Sequence, residues 1–202
     1  MKPVLIGITG RSCSGKSSLA RGLQRALNGT AGILPLDAYY RDLTHLHRAD
    51  RDRFNFDAPD ALDHELLHLH LRSLAAGRAI NRPIYRFEDH RRTAETARLE
   101  PVEWLIVEGL FALYWESLSR LMSRRVFLKV DDEVCLARRV RRDSQERGRT
   151  VSSVQVQYEE FVRPMFERFV RPTLVRAELI LDGTQPVQDL VRICQRYATG
   201  GS

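Results

Sequence analysis

With 202 residues, 43% of them hydrophobic and 29% charged, the chain suits one globular domain and is too apolar for a disordered protein. It contains no apolar run of the ~20 residues that a membrane-spanning helix needs, and its three cysteines have no metal-binding spacing, so we expect a cytoplasmic protein without a membrane partner. The net charge of +6 allows a nucleic-acid partner or a polyphosphate ligand, and the position of the charge decides between them.

The segment Gly10–Ser17, GRSCSGKS, fits the P-loop pattern G-x-x-x-x-G-K-[ST]. An apolar run at 4–9 precedes it and predicts a buried strand, and residues 18–27 show the apolar spacing of a helix. In this setting backbone N–H groups and a lysine can bind phosphates, and a serine hydroxyl can ligate Mg²⁺; a glycine turn that matches by accident is the other interpretation. The residues expected at the nucleotide are Gly10, Ser12, Ser14, Gly15, Lys16, Ser17 and Ser18.

The next elements alternate in type. A glycine-rich turn at 28–32 ends the first helix, and residues 33–36 predict a second strand with Asp37 at its carboxyl end. Residues 41–57 show no period and predict a loop over the site. A helix at 59–76 and a β-hairpin at about 79–99 follow.

The second half continues the alternation. Residues 102–107 predict a central strand that ends at Glu108, and further strands are expected at 126–130 and 179–181. Helices are expected after Asp131, across 152–169 with a break at Pro164, and at 186–197. The pattern predicts a single domain over 1–202, an α/β fold of three layers with a five-stranded, mainly parallel sheet, a β-hairpin insertion and a helical lid.

Two carboxylates and a group of arginines complete the predicted site. Asp37 and Glu108 each follow a strand, and ligands of open α/β sheets bind at the carboxyl ends of the strands. Six arginines fall within the predicted lid at about 138–160, with no aromatic residues between them, which favours phosphate binding over stacking of nucleic-acid bases. A phosphate cradle, two carboxylates and arginines are what in-line phosphoryl transfer requires, so we predict a P-loop kinase of a small molecule and no nucleic-acid partner.

Several longer segments then narrow the interpretation, because the chain resembles the uridine kinase (uridine–cytidine kinase) family from about residue 4 to about residue 182. The segments that carry the resemblance are LDAYY at 36–40, NFDAPDALD at 55–63, PIYRF at 83–87, IVEG at 106–109, RRVRRD at 138–143 and ERGR at 146–149. The resemblance implies a nucleoside monophosphate kinase-like fold and a Mg²⁺-dependent transfer of phosphate from ATP or GTP to the ribose 5′-hydroxyl of uridine or cytidine.

The same resemblance implies a role for individual residues. Asp37 would be the catalytic base, assisted by Lys16 and Arg142, and Glu108 would hold Mg²⁺ together with Ser17. Asp57 would bind the ribose hydroxyls, and Arg147 would neutralise phosphate charge. The remaining residues implied at the acceptor nucleoside are Tyr40, Phe56, Tyr85, Phe87, His90, Arg139, Arg149 and Gln157.

Plainer alternatives stand beside these roles. Asp37 could hold the water shell of Mg²⁺, and Asp57 could cap the helix that begins near Pro59. Tyr85 and Phe87 could simply pack the hairpin on the core, and His90 could be an exposed turn residue. Arg138 and Arg141 are expected to be surface charges or salt-bridge partners.

Three departures from the family pattern leave the acceptor open. Arg86 stands where uridine kinases usually carry an aspartate and could favour a more anionic acceptor, and Thr150 replaces a residue that is commonly acidic. The ending LDGT at 181–184 looks more like some nicotinamide riboside kinases than like the usual uridine kinase tail. Nicotinamide riboside, pantothenate or a sugar phosphate are therefore alternative acceptors. A regulator that binds nucleotide without turnover is a third hypothesis, against which both carboxylates argue. The sequence leaves a homo-oligomer open.

Overall fold

The computed structural model describes residues 3–27 and 30–200. Two residues of the predicted turn at 28–32, Asn28 and Gly29, lie outside the described residues. The strands are β1 (Val4–Gly10), β2 (Ala31–Pro35), β3 (Ile80–Arg86), β4 (Arg91–Leu99), β5 (Trp104–Glu108), β6 (Arg124–Lys129) and β7 (Leu179–Asp182). The α-helices are α1 (Lys16–Ala26), α2 (Arg48–Asp52), α3 (His64–Ala75), α4 (Glu116–Ser119), α5 (Asp132–Glu146), α6 (Val151–Gln157), α7 (Arg163–Met165) and α8 (Val187–Thr199).

Five strands form one sheet in the order β2-β5-β1-β6-β7, and every pairing in it is parallel. This confirms the predicted five-stranded α/β sheet. The register places Pro35 of β2 and Ile8 of β1 on either side of Glu108 in β5. The carboxyl ends of three adjacent strands therefore meet at one edge of the sheet. There β2 leads into the segment with Asp37, β5 ends at Glu108, and β1 leads into the P-loop.

Apolar residues cover both faces of the sheet. On one face, Leu19 and Leu23 of α1 pack with Leu190 and Cys194 of α8 in a fully buried cluster. On the other face, a larger cluster joins α3, the hairpin and the segment after β2. A strand that is buried on both faces needs a continuous run of apolar residues. The central strands could therefore be predicted from their apolar runs in the sequence.

The predicted hairpin is present as a separate two-stranded sheet. β3 and β4 pair in antiparallel fashion, with Tyr85 opposite Arg92 and Arg86 opposite Arg91. Arg92 fastens the hairpin to the body of the protein, because its guanidinium donates to the carbonyls of Tyr39 (3.2 Å) and Tyr40 (3.0 Å). The hairpin thus contacts the segment that carries Asp37.

The structure differs from the predicted elements at four places. The helix predicted at 59–76 begins only at His64, after the 3₁₀ turn Pro59–Ala61, and the short helix α4 was not predicted. Residues 41–57, predicted as a loop, contain the short helix α2, whose Arg51 donates to the carbonyl of Asp89 at the hairpin tip (2.8 Å).

The predicted break at Pro164 is not a break. The helix widens into the π-helical segments Tyr158–Val162 and Phe166–Val170 on either side of α7, because a wider turn accommodates a proline ring without its N–H.

Among residues 3–27 and 30–200, no helix has the length and apolar character needed to cross a membrane.

Candidate active site

The P-loop joins β1 to α1, and two of its glycines have a positive φ. Gly10 has a φ of 149°, and a Cβ there would lie 2.4 Å from the carbonyl oxygen of Leu128. Gly15, with a φ of 102°, caps the N-terminus of α1. Only glycine fits the first position, because a side chain would strike the backbone of β6. The loop therefore wraps around the positive end of the α1 dipole, as an anion site requires.

Lys16 places its charge at the centre of this loop. The side chain is buried to 8% exposure, and its ammonium group donates to the carbonyls of Gly10 (3.0 Å) and Arg11 (2.8 Å). Ser17 and Ser18 are exposed at the start of α1, whereas the Ser14 side chain is fully buried. Ser14 can therefore serve a phosphate only through its backbone, and the two later serines can offer hydroxyl groups.

Ser17 and Glu108, the two residues predicted to hold Mg²⁺, are in contact. The Ser17 hydroxyl donates to Oε1 of Glu108 at 3.1 Å, across the gap between α1 and the end of β5. Burial raises the pKa of Glu108, and the charge of Asp37 raises it further, against the opposing effects of Lys16 and the Ser17 hydrogen bond. A buried carboxylate beside a hydroxyl, in need of positive charge, is an oxygen donor set that fits Mg²⁺.

Asp37 lies in the first turn after β2, in the short 3₁₀ segment Leu36–Tyr39. Its side chain is exposed to solvent, although surrounding protein atoms desolvate it in part. This desolvation raises its pKa, while Lys16 and then Arg147 lower it. Asp37 is therefore within electrostatic reach of the P-loop and of the lid, and its raised pKa suits a group that accepts a proton.

Asp57 is the second carboxylate of the acceptor side. Its side chain is 8% exposed, and its backbone N–H donates to Oδ1 of Asn55 at 3.1 Å. Burial raises the pKa of Asp57, and Arg139 gives the largest opposing effect. The alternative that Asp57 caps a helix is wrong, because the cap of α3 is Asp63, whose carboxylate accepts from the Leu66 N–H.

Five predicted acceptor residues form an aromatic wall. Tyr40 contacts Phe56 (5.3 Å between ring centroids), Tyr85 (5.3 Å) and Phe87 (6.2 Å), and Phe56 stacks on His90 at 4.7 Å. The hairpin and the loop after β2 thus meet in one cluster. Phe87 is 38% exposed and Tyr85 is 8% exposed, so the packing alternative applies to the Tyr85 ring. The Tyr85 hydroxyl is buried and finds no hydrogen-bond partner within the described residues, which leaves a donor for a ligand.

The lid arginines divide into two groups. Arg139 donates to the Ser12 hydroxyl (3.0 Å) and to Oε1 of Gln157 (3.2 Å), and Arg149 donates to the same Gln157 oxygen. Arg142 and Arg147 face Asp37 electrostatically, and the Arg147 guanidinium lies 5.4 Å from the centroid of the Phe87 ring. The first group joins the lid to the P-loop, and the second joins it to the acceptor wall.

Two further arginines have partners that the sequence analysis did not name. Arg138 is not a surface charge, because its guanidinium donates to the carbonyl of Gly183 (3.1 Å) and to two P-loop carbonyls, of Cys13 and Ser14 (both 3.5 Å). Arg86 pairs with Asp89, which accepts from two of its nitrogens at the hairpin turn and also pairs with Arg91. The contacts of Arg138 have no local sequence signal, whereas Arg86 and Asp89 are three residues apart in one turn.

The sequence reasoning missed a second network at the P-loop. Arg11, which is 6% exposed, lies 3.6 Å above the Phe166 ring and pairs with Asp132 at 2.5 Å. Asp132 also accepts from the Tyr158 hydroxyl (2.9 Å) and from Arg163 (2.8 Å). The P-loop is thereby connected to α5 and to the helical segments at 151–170. In the sequence, only the acidic first turn of α5 points to this network.

Comparison with known proteins gives consistent results. The model of the phosphoribulokinase/uridine kinase family matches residues 5–190. Uridine kinases of Salmonella newport (strain SL254) and Cronobacter sakazakii (strain ATCC BAA-894) are each 42% identical over 183 residues, which cover 88% of this chain and 86% of each relative.

Solved structures share the fold at lower identity. A phosphoribulokinase from Rhodobacter spheroides superposes with a TM-score of 0.69 at 17% identity, covering 92% of this chain and 74% of that one. A D-glycerate 3-kinase from Cryptococcus neoformans gives a TM-score of 0.63 at 16% identity, covering 83% and 79%. These similarities confirm the P-loop kinase fold.

Proposed function

The chain belongs to the phosphoribulokinase/uridine kinase family, and on this premise we propose that it transfers the γ-phosphoryl group of ATP to the 5′-hydroxyl of uridine or cytidine. The observation that carries the proposal is the convergence of the P-loop, Glu108 and Asp37 at the carboxyl ends of three adjacent strands. A nucleotide-binding regulator would need neither the acceptor-side carboxylate nor the aromatic wall.

In this proposal the chain supplies position and charge. The P-loop amides and Lys16 bind the β- and γ-phosphates, and the lid arginines face them from the opposite side. Ser17 and Glu108 would hold Mg²⁺, which neutralises phosphate charge when bound. Arg142 is the lid residue assigned to the transferring group, because it is within electrostatic reach of Asp37.

Asp37 acts on the acceptor. Its carboxylate takes the proton of the 5′-hydroxyl while the O5′–P bond forms and the bond from Pγ to the β–γ bridging oxygen breaks, which leaves ADP and the nucleoside monophosphate. Asp57 accepts hydrogen bonds from the ribose hydroxyls. The aromatic wall of Tyr40, Phe56, Tyr85, Phe87 and His90 encloses the pyrimidine and excludes water from the transferring group.

The acceptor is tested by following ADP release from ATP with five candidate acceptors: uridine, cytidine, nicotinamide riboside, pantothenate and ribulose 5-phosphate. We expect kcat/KM for a pyrimidine nucleoside to exceed that for each of the other three by at least about 10²-fold. With a wrong acceptor, the polar groups of the site that would hydrogen-bond the nucleoside are left without partners, which lowers the rate. A higher kcat/KM for any of the other three contradicts the assignment. The Lys16→Ala variant is the control for ADP release by a contaminating kinase.

A further inference from the structure

We propose that Asp143 is a positioning residue for phosphoryl transfer, because its buried carboxylate holds four lid arginines in the arrangement that receives the phosphates and the acceptor. The inference rests on the proposed function, which assigns Arg139, Arg142, Arg147 and Arg149 to those ligands. Asp143 lies on α5 and its side chain is inaccessible to solvent.

The geometry gives one tight contact and three looser ones. Arg142 places Nε (2.8 Å) and Nη2 (2.7 Å) on Oδ1 of Asp143. Arg139 (3.5 Å) and Arg149 (4.0 Å) approach Oδ2, and Arg147 approaches Oδ1 at 3.7 Å. The carboxylate therefore binds Arg142 directly and attracts the other three guanidinium groups at ion-pair distance, and these looser contacts leave N–H groups of the three arginines for ligands. Ion pairs of this length can shorten when a ligand closes the site.

The charge of Asp143 is needed as well as its shape. Four guanidinium groups so close together repel one another, and one buried carboxylate offsets part of that repulsion. Although desolvation acts to raise the pKa of Asp143, the Arg142 hydrogen bonds and the surrounding positive charges outweigh it, so the pKa lies below its ordinary value. The carboxylate stays ionised at neutral pH, and the arginines keep their counter-charge in the absence of nucleotide.

The side chain and the backbone of Asp143 have separable roles. Its carbonyl accepts from the N–H groups of Arg147 (3.2 Å) and Arg149 (3.1 Å), which ends α5 and directs the next turn. Asp143→Asn retains those backbone contacts and the side-chain shape, and it removes only the charge. That substitution therefore tests the carboxylate rather than the helix end.

The kinetic test compares Asp143→Asn with Asp143→Glu and with Glu146→Gln, an exposed carboxylate on the same helix. We expect Asp143→Asn to lower kcat by about 10²-fold, the cost of misplacing catalytic groups, with KM for ATP changed less than threefold. Asp143→Glu restores part of the loss, and Glu146→Gln stays within twofold of the unsubstituted protein. A kcat of Asp143→Asn within threefold, or equal changes in kcat and KM, contradicts the proposal.

A double variant tests whether Asp143 acts through the arginines. If it does, the loss of kcat in Asp143→Asn with Arg142→Gln falls well short of the product of the two single losses, because the second change removes a group that the first has already misplaced. Losses that multiply contradict the proposal.

A measurement on the unsubstituted protein needs neither turnover nor a folded variant. In ¹H–¹⁵N NMR spectra without nucleotide, the Nε–H signal of Arg142 should be resolved and protected from solvent exchange, since this group donates to Oδ1 of Asp143 at 2.8 Å. A signal at the position of free arginine contradicts the proposal, even if Asp143→Asn does not fold. Failure of the acceptor screen with a protected signal would instead overturn the proposed function alone.

Discussion

At the scale of single residues, the electrostatics of Asp37 separate catalysis from nucleotide binding. Its carboxylate is exposed to the cleft on the acceptor side, whereas Lys16 and the P-loop amides hold the donor. We expect Asp37→Asn to lower kcat by about 10²–10⁴-fold, the usual contribution of a general base, and to leave the Kd for ATP within threefold. The exposed Asp60→Asn is the control. Unchanged turnover in Asp37→Asn would exclude Asp37 as the base.

The same residue sets a pH dependence. A carboxyl group accepts the proton of the acceptor only when it is ionised, and desolvation raises the pKa of Asp37 above its ordinary value of 3.8, against Lys16. As the pH falls through this raised pKa, the ionised fraction and kcat fall together. We expect an acid limb in the kcat profile at a pH above that of an ordinary aspartate. The residual activity of Asp37→Asn should lack that limb, and a limb that persists there belongs to another group.

Among the residues of the aromatic wall, we expect His90 to affect binding of the acceptor nucleoside much more than binding of ATP. It stacks on Phe56 at 4.7 Å and lies in the hairpin turn between β3 and β4. We expect His90→Ala to raise the KM for uridine by about tenfold, the loss of roughly 1.4 kcal/mol of stacking and hydrogen bonding, while the KM for ATP changes less than twofold. Steady-state kinetics with each substrate varied in turn measure both constants. Equal increases in the two would remove His90 from the acceptor site.

At the scale of elements, local sequence patterns predicted the parts of the site that one or two elements build. The P-loop is readable because strand, glycine loop and helix are contiguous, and Asp37 and Glu108 are readable because parallel strands end at one edge. The contacts of Arg138 with Gly183 and the P-loop could not be predicted in this way, because the residues they join are 45 or more positions apart in the sequence. The central role of Asp143 depends on where four side chains converge, which no periodicity records.

The anchoring of the hairpin is such a long-range feature, and Arg92 carries it. Its guanidinium donates to Asp63 (3.1 Å) and to the carbonyls of Tyr39 and Tyr40, so it fixes β4 against the segment after Asp37. We expect Arg92→Lys to raise the KM for uridine by about tenfold, because a single ammonium group cannot span three acceptors. The KM for ATP should change less than twofold.

The matched control is the preceding residue. Arg91 lies on the same strand but its side chain is 44% exposed and pairs with Asp89 at the turn. Arg91→Lys should leave both Michaelis constants within twofold. If Arg92→Lys behaves like Arg91→Lys, the hairpin does not depend on Arg92 for its position.

At the scale of the whole molecule, the two faces of the sheet pack against different parts of the site, α1 with the P-loop on one face and the aromatic wall on the other. Leu190 of α8 packs with α1 behind the sheet, whereas Leu67 of α3 belongs to the cluster that contains Tyr39, Tyr40 and Tyr85. Both side chains are buried, at 4% and 0% exposure. Leu190→Ala and Leu67→Ala should each lower the free energy of unfolding by about 2–5 kcal/mol, because each leaves a cavity.

The two substitutions should differ in their effect on activity. Leu67 shares its buried cluster with Tyr40 and Tyr85 of the aromatic wall, so we expect Leu67→Ala to raise the KM for uridine several-fold in the folded protein, while Leu190→Ala keeps both Michaelis constants within twofold. Urea unfolding gives the stability, and kinetics at a temperature where both variants are folded give KM. Because interiors are close-packed and transmit displacements locally, equal KM values in the two variants would mean that the wall is held by the hairpin and loop alone.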